Sequence, residues 1–156
     1  MKILVASILA LCAVSLIQDT EPAVDEKAEK LRRAVEALSH SMSTEGAGPE
    51  AYAELLRDDF TRWFVGRQIV EKEELVESLE TWWKDGNRVA ENRSRIVALD
   101  LSESVGIVRL EASESFVDQD GAGAGAFEGF VDQVWILRDE RWKLLAANIA
   151  PEPEQK

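Results

Sequence analysis

Apolar residues recur along this chain first at helical spacing and then at strand spacing, and the change of period divides it into two halves. Val24, Ala28, Leu31, Val35, Leu38 and Met42 follow one another at steps of three and four between charged flanks, which predicts an amphipathic helix. Glu21, Asp25 and Glu26 stand near its start, where the helix dipole favours negative charge, and Ser43 to Gly48 form a polar break after it. Pro49 suits the first turn of a second, short helix, with Tyr52, Leu55, Leu56 and Phe60 as its buried side. Thr61 to Val70 mix Trp63, Phe64 and Val65 with Gly66 and Ile69-Val70, a pattern for short extended pieces around a turn. Glu71 to Asp85 return to helical spacing through Leu75, Val76, Leu79, Trp82 and Trp83, and Gly86 is placed to cap that helix.

From Val89 the period becomes two. Strands are expected over Val89–Leu101, Val105–Val117, Ala126–Arg138 and Arg141–Ile149. The short loops between them, Ser102–Ser104, Asp118–Gly125 and Asp139–Glu140, make a meander of antiparallel hairpins. Helices followed by sheet give an α+β class: a curved antiparallel sheet wrapped around about three N-terminal helices. In the third strand one face carries Phe127, Val131, Trp135 and Leu137, and the other Phe130, Val134 and Ile136. Helices cover one face of such a sheet only, so the second apolar face points to a homodimer through the sheet.

The N-terminus changes the picture of where the protein works. Ile3 to Ile17 are an unbroken apolar and small-residue run behind Lys2, too short for the roughly 20 residues of a spanning helix. Residues 1–18 therefore read as a signal peptide, cleaved near Ser15, and the product as exported, periplasmic or extracellular. An uncleaved anchor is the alternative. Bulky Leu11 before Cys12 disfavours lipidation, and once Cys12 leaves with the leader the protein has no thiol for a disulfide or a zinc site. Residues 19–150 form one domain, for which a 46% hydrophobic and 31% charged chain has enough apolar material, and 151–156 form a flexible tail. A formal charge of −12 repels phosphate backbones and so disfavours nucleic acid and anionic membrane surfaces as partners.

With that order of elements, Ala53–Gly66 and Phe130–Ala147 resemble the SnoaL-like branch of the nuclear transport factor 2-like superfamily. The pieces that carry the resemblance are Leu55-Leu56-Arg57-Asp58-Asp59-Phe60, Lys72-Glu73-Glu74-Leu75, Val131-Asp132-Gln133-Val134-Trp135 and Arg141-Trp142-Lys143-Leu144. The resemblance implies a cystatin-like α+β cone with an internal pocket, often dimeric through its sheet. Its members include isomerases, cyclases, dehydratases, ligand carriers and assembly modules, so fold alone does not set the chemistry.

If the cone holds, the face shared by Glu128, Phe130, Asp132, Val134 and Ile136 points inward. Asp132 is then the catalytic candidate: a carboxyl on an apolar wall tends to stay protonated and to donate a hydrogen bond. The alternative is a structural carboxyl satisfied by a neighbour such as Arg95. Similar ketosteroid isomerases use an aspartate at this strand position, but Phe64 stands where their proton-shuttling aspartate belongs and Ala34 near their oxyanion tyrosine, which disfavours that reaction. Glu114, on a face with Val108, Leu110, Ala112 and Phe116, also points inward and, like Glu128, is a candidate acid–base partner or a solvated pocket mouth. Tyr52 offers a hydroxyl, and Trp63 and Phe130 offer aromatic surface to a ligand. Asn148, near the end of the last strand, bonds without shuttling protons, and His40, the sole histidine, is a surface residue at a helix end. No cofactor or metal is expected. Gly121 to Gly125 form a hairpin tip rather than a phosphate loop, since they precede a strand. The readings in order are a pocket for a small apolar or amphipathic ligand, an isomerase or dehydratase using Asp132 with Glu128 or Glu114, and a partner-binding module with a closed core.

Overall fold

The stripe predicted on the first helix folds as α1, Glu21–Ser41, and buries Leu31, Val35 and Leu38. A computed structural model describes residues 21–152; the expected leader with Cys12 and its cleavage site, and residues 153–156 of the expected tail, lie outside the described residues. The second helix, α2, is only Pro49–Glu54. Leu56 and Phe60, expected on its buried side, belong instead to a strand, β1, Leu56–Phe64. Both are buried there, at 1% exposure each. A step of four places two residues on one face of a helix and equally on one face of a strand, so their spacing alone does not choose between the two.

A tight turn at Val65 and Gly66, both at positive φ, leads into β2, Arg67–Glu71, and then α3, Lys72–Lys84. Gly86, at φ 84°, follows α3 in the left-handed conformation that a helix end favours in glycine. The strand expected over Val89–Leu101 is two, β3, Arg88–Asn92, and β4, Arg95–Leu101, both paired with the same edge of β5, Val105–Val117. The break lies at Arg93-Ser94, where Asn92 Oδ1 accepts the Ser94 N–H at 2.8 Å and the Arg93 N–H donates to the Ser113 carbonyl. Next come β6, Gly123–Arg138, and β7, Arg141–Pro151. Asp139 and Glu140, both at positive φ, join them in the geometry that suits a two-residue hairpin.

The strands form one sheet in the order β2-β1-β7-β6-β5-β3, with β4 also on β5. The meander β4 to β7 is antiparallel, but β1 joins β7 in parallel, so the sheet is mixed. Its concave face holds Val108, Leu110, Trp135, Trp142 and Leu144 against α1 and the buried residues of β1 and α3. Each large buried side chain contributes about 1.5–3 kcal/mol. Gly106 is required at its position on β5, since an added Cβ would lie 2.4 Å from the Leu31 side chain of α1.

Candidate functional site

Curvature leaves the concave face only partly filled. Between it and the three helices lies a half-open cavity of about 650 Å³, walled by Leu38 of α1 and Met42 just after it, Leu75, Leu79 and Trp82 of α3, and inward residues of β5, β6 and β7. Trp82 meets Phe116 edge to face, with ring centroids 6.1 Å apart, on one wall. The lining is mostly apolar and carries a small polar set: Tyr52, Arg62, Glu114 and Gln133, with Ser39, Ser78 and Ser94.

Strand register decides which side chains reach this space. On β5 the inward residues are Val108, Leu110, Ala112, Glu114 and Phe116, and across the ladder they face Gln133, Val131, Gly129, Phe127 and Gly125. Glu114 therefore lines the cavity. Burial pushes its carboxyl above the ordinary carboxylate range, partly offset by the positive charge of Arg62. Asn92 donates to its Oε1 at 2.9 Å. Tyr52 also lines the cavity, and its hydroxyl accepts Arg62 Nη2 at 2.9 Å.

The other β6 candidates stand elsewhere, which corrects the inward assignment of their face. Asp132 lies on the convex face of the sheet and pairs with Arg109 directly across the ladder, Nε to Oδ1 at 2.6 Å and Nη2 to Oδ2 at 3.0 Å. Its partner is Arg109, not Arg95, which bonds Glu111. Glu128 is exposed opposite Ser113, and Phe130 is exposed at 39% opposite Glu111. Trp63 is outside the cavity lining and donates from Nε1 to Thr61 Oγ1. The face was ambiguous because β6 is apolar on both sides, and the alternation then has two solutions. Register with β5 removes the ambiguity, since Glu114 pairs with Phe127 and not with Glu128.

Besides the three serines, two polar lining residues escaped the sequence reading. Gln133, 4% exposed, accepts Trp135 Nε1 at 2.9 Å. Arg62 occupies the same face of β1 as buried Phe60, and a charged residue two positions after a buried aromatic on one strand was the available signal. Phe64, at the position compared with the isomerases' aspartate, is exposed near the β1–β2 turn, and Ala34 packs against the core. Asn148 braces that same turn, its Oδ1 accepting the Gly66 N–H at 3.0 Å. His40 is exposed in the last turn of α1, with Nδ1 3.2 Å from Ser43 Oγ. Among the described residues no group of three or more His, Cys, Asp or Glu is arranged to hold a metal ion, and no helix is long and apolar enough to cross a membrane.

No protein-family model and no curated protein sequence matches the chain. Solved structures do match in fold. A candidate scytalone dehydratase from Novosphingobium aromaticivorans superposes with a TM-score of 0.71 at 16% identity, over 86% of this chain and 89% of that one. A nuclear transport factor 2-like superfamily protein from Salmonella enterica gives 0.66 at 11% identity, over 85% and 96%. A protein of unknown function with a cystatin-like fold from Nostoc punctiforme gives 0.57 at 18%, over 85% and 94%. At these identities the likeness concerns the fold, which is the nuclear transport factor 2-like, cystatin-like α+β cone.

Proposed function

We propose that this chain, a nuclear transport factor 2-like cone, is an exported binding protein that takes a small, mostly apolar organic ligand between its helices and the concave face of its sheet. The observation that carries this reading is the cavity itself. Its volume of about 650 Å³ falls within the roughly 300–1,000 Å³ of small-molecule sites, and an apolar wall with a few convergent polar groups is their usual composition. Export rests on the apolar leader read from the sequence.

An isomerase or dehydratase using Asp132 with Glu128 or Glu114 has less support. Proton transfer needs acid and base within reach of one substrate, and of these three carboxylates only Glu114 lines the cavity. The structural neighbour named as a candidate dehydratase keeps a reaction centred on Glu114 in view, without supplying it a second carboxylate. A purely structural module with a closed core is disfavoured by the open space. Native mass spectrometry of the protein after incubation with an organic extract of its host tests the proposal. The expected result is one small molecule retained per chain; a chain that stays empty through such incubations would contradict it.

The convex face supports a further part of the proposal, homodimerisation. Ile107 at 50% exposure, Phe130 at 39% and Val97 at 41% share that face with the Arg109–Asp132 and Arg95–Glu111 pairs. An apolar surface studded with charges already neutralised in pairs meets its own copy without stranding a charge.

A further inference from the structure

We infer that the ligand of this cavity is an apolar organic acid, held by its carboxylate against the guanidinium of Arg62. This rests on the proposed ligand-binding role of the cavity and adds the ligand's chemical class. Arg62 is the one basic residue lining the cavity among the described residues, on an otherwise mostly apolar wall. Its side chain makes one hydrogen bond, from Nη2 to the neutral Tyr52 hydroxyl, while Nε is buried with no acceptor. No carboxylate lies within ion-pair distance of it among the described residues, although arginines elsewhere in the chain, Arg57, Arg93, Arg95 and Arg109, each hold one.

A half-buried cation with a buried, unpartnered N–H and no carboxylate in contact is a costly arrangement that an anionic ligand relieves. Glu114, the only acidic lining residue among the described residues, does not relieve it by contact. Its carboxylate is committed to Asn92, and it feels Arg62 only through space. A guanidinium in a partly desolvated site is suited to a carboxylate, with a charge-assisted bond stronger than a neutral one. The chain as a whole carries −12, so its long-range field opposes anions, and any preference for an acid has to arise from this local cation.

Naphthoate and its methyl ester share one apolar body and differ in the charge of one group. Their displacement of the neutral fluorophore N-phenylnaphthylamine from the wild-type protein at neutral pH tests the inference. The acid is expected to displace the probe at concentrations about tenfold or more below those of the ester. Arg62→Gln is expected to abolish that preference while the ester still competes, Arg62→Lys to keep part of it, and Glu114→Gln, which removes the competing negative charge, to enlarge it. Equal potency of acid and ester in the wild type, a preference that survives Arg62→Gln, or a bound probe that neither compound displaces would overturn the organic-acid inference and leave the cavity's binding role standing. A wild-type protein that binds neither the fluorophore nor either competitor removes both. If Arg62→Gln does not fold, Arg62→Lys and Glu114→Gln, read against the wild-type ratio of acid to ester, decide the matter.

Discussion

Glu114 carries its carboxyl on the inner wall of the cone, where burial disfavours the charged form and Arg62 offsets only part of the cost. Its pKa is raised above the ordinary value of 4.5, so the folded protein holds this proton more tightly than the unfolded chain does. The stability this group contributes is therefore present below the ordinary pKa and is lost as pH rises from there through the folded value. Glu114→Gln removes the titration while keeping an acceptor for Asn92. The variant's thermal midpoint is expected to exceed that of the wild type at neutral pH, by a margin that shrinks as pH falls towards 4.5, checked by melting both proteins across that range. The inward placement of Glu114 was legible, because its face of β5 is apolar and the opposite face is charged. Asp132 was not, since both faces of β6 are apolar and the bidentate pair with Arg109 that explains it depends on strand register. Arg62 lies in a segment that does read as extended, but nothing in so short a stretch says which of its residues turn inward, so its place in the cavity wall depends on the pairing of β1 with β7.

The β1–β2 turn shows how an element bears a local conflict. Val65 sits at φ 48° with 63% exposure, a left-handed backbone that a β-branched residue adopts at a cost. The surroundings hold it there: the Val65 N–H donates to the Ile149 carbonyl and Asn148 takes the next N–H. Val65→Asn, which places a residue tolerant of this region at the same position, is expected to stabilise the fold by about 1 kcal/mol, read as a higher urea midpoint at an unchanged slope. Helices α1 and α3 were readable because each carries one clear period over a long run, and the strands from β5 onward because each is a long apolar-rich run bounded by turn residues. The helix α2 was overextended because a step of four suits both helix and strand, and β3 and β4 were joined because a bend at Arg93-Ser94 leaves the alternation largely undisturbed.

At the scale of the molecule, the α+β class and the curved sheet followed from the order of periods, whereas the parallel pairing of β1 with β7 did not. That contact joins residues as far apart in sequence as Leu56 and Leu144, and no local pattern encodes it. It matters to function because it adds β1 and β2 to the sheet beside β7 and brings Arg62 next to Ala147 at the cavity wall. The convex face makes its own prediction: the wild type is expected to run as a dimer in light scattering at micromolar concentration, and Ile107→Glu, which places an unpaired charge in the exposed apolar patch, as a monomer with its fold intact. A monomeric wild type would contradict the interface without touching the cavity. The central claim is that the space inside the cone binds a small apolar molecule. Titration with N-phenylnaphthylamine, read as energy transfer from the protein's tryptophans with Trp82 in the cavity wall, tests it most directly, with Ala112→Phe as the comparison because the new ring fills the space. The account predicts saturable binding of one fluorophore per chain in the wild type and its loss in a folded Ala112→Phe protein; no saturable binding, or binding that the filled cavity leaves unchanged, would contradict it.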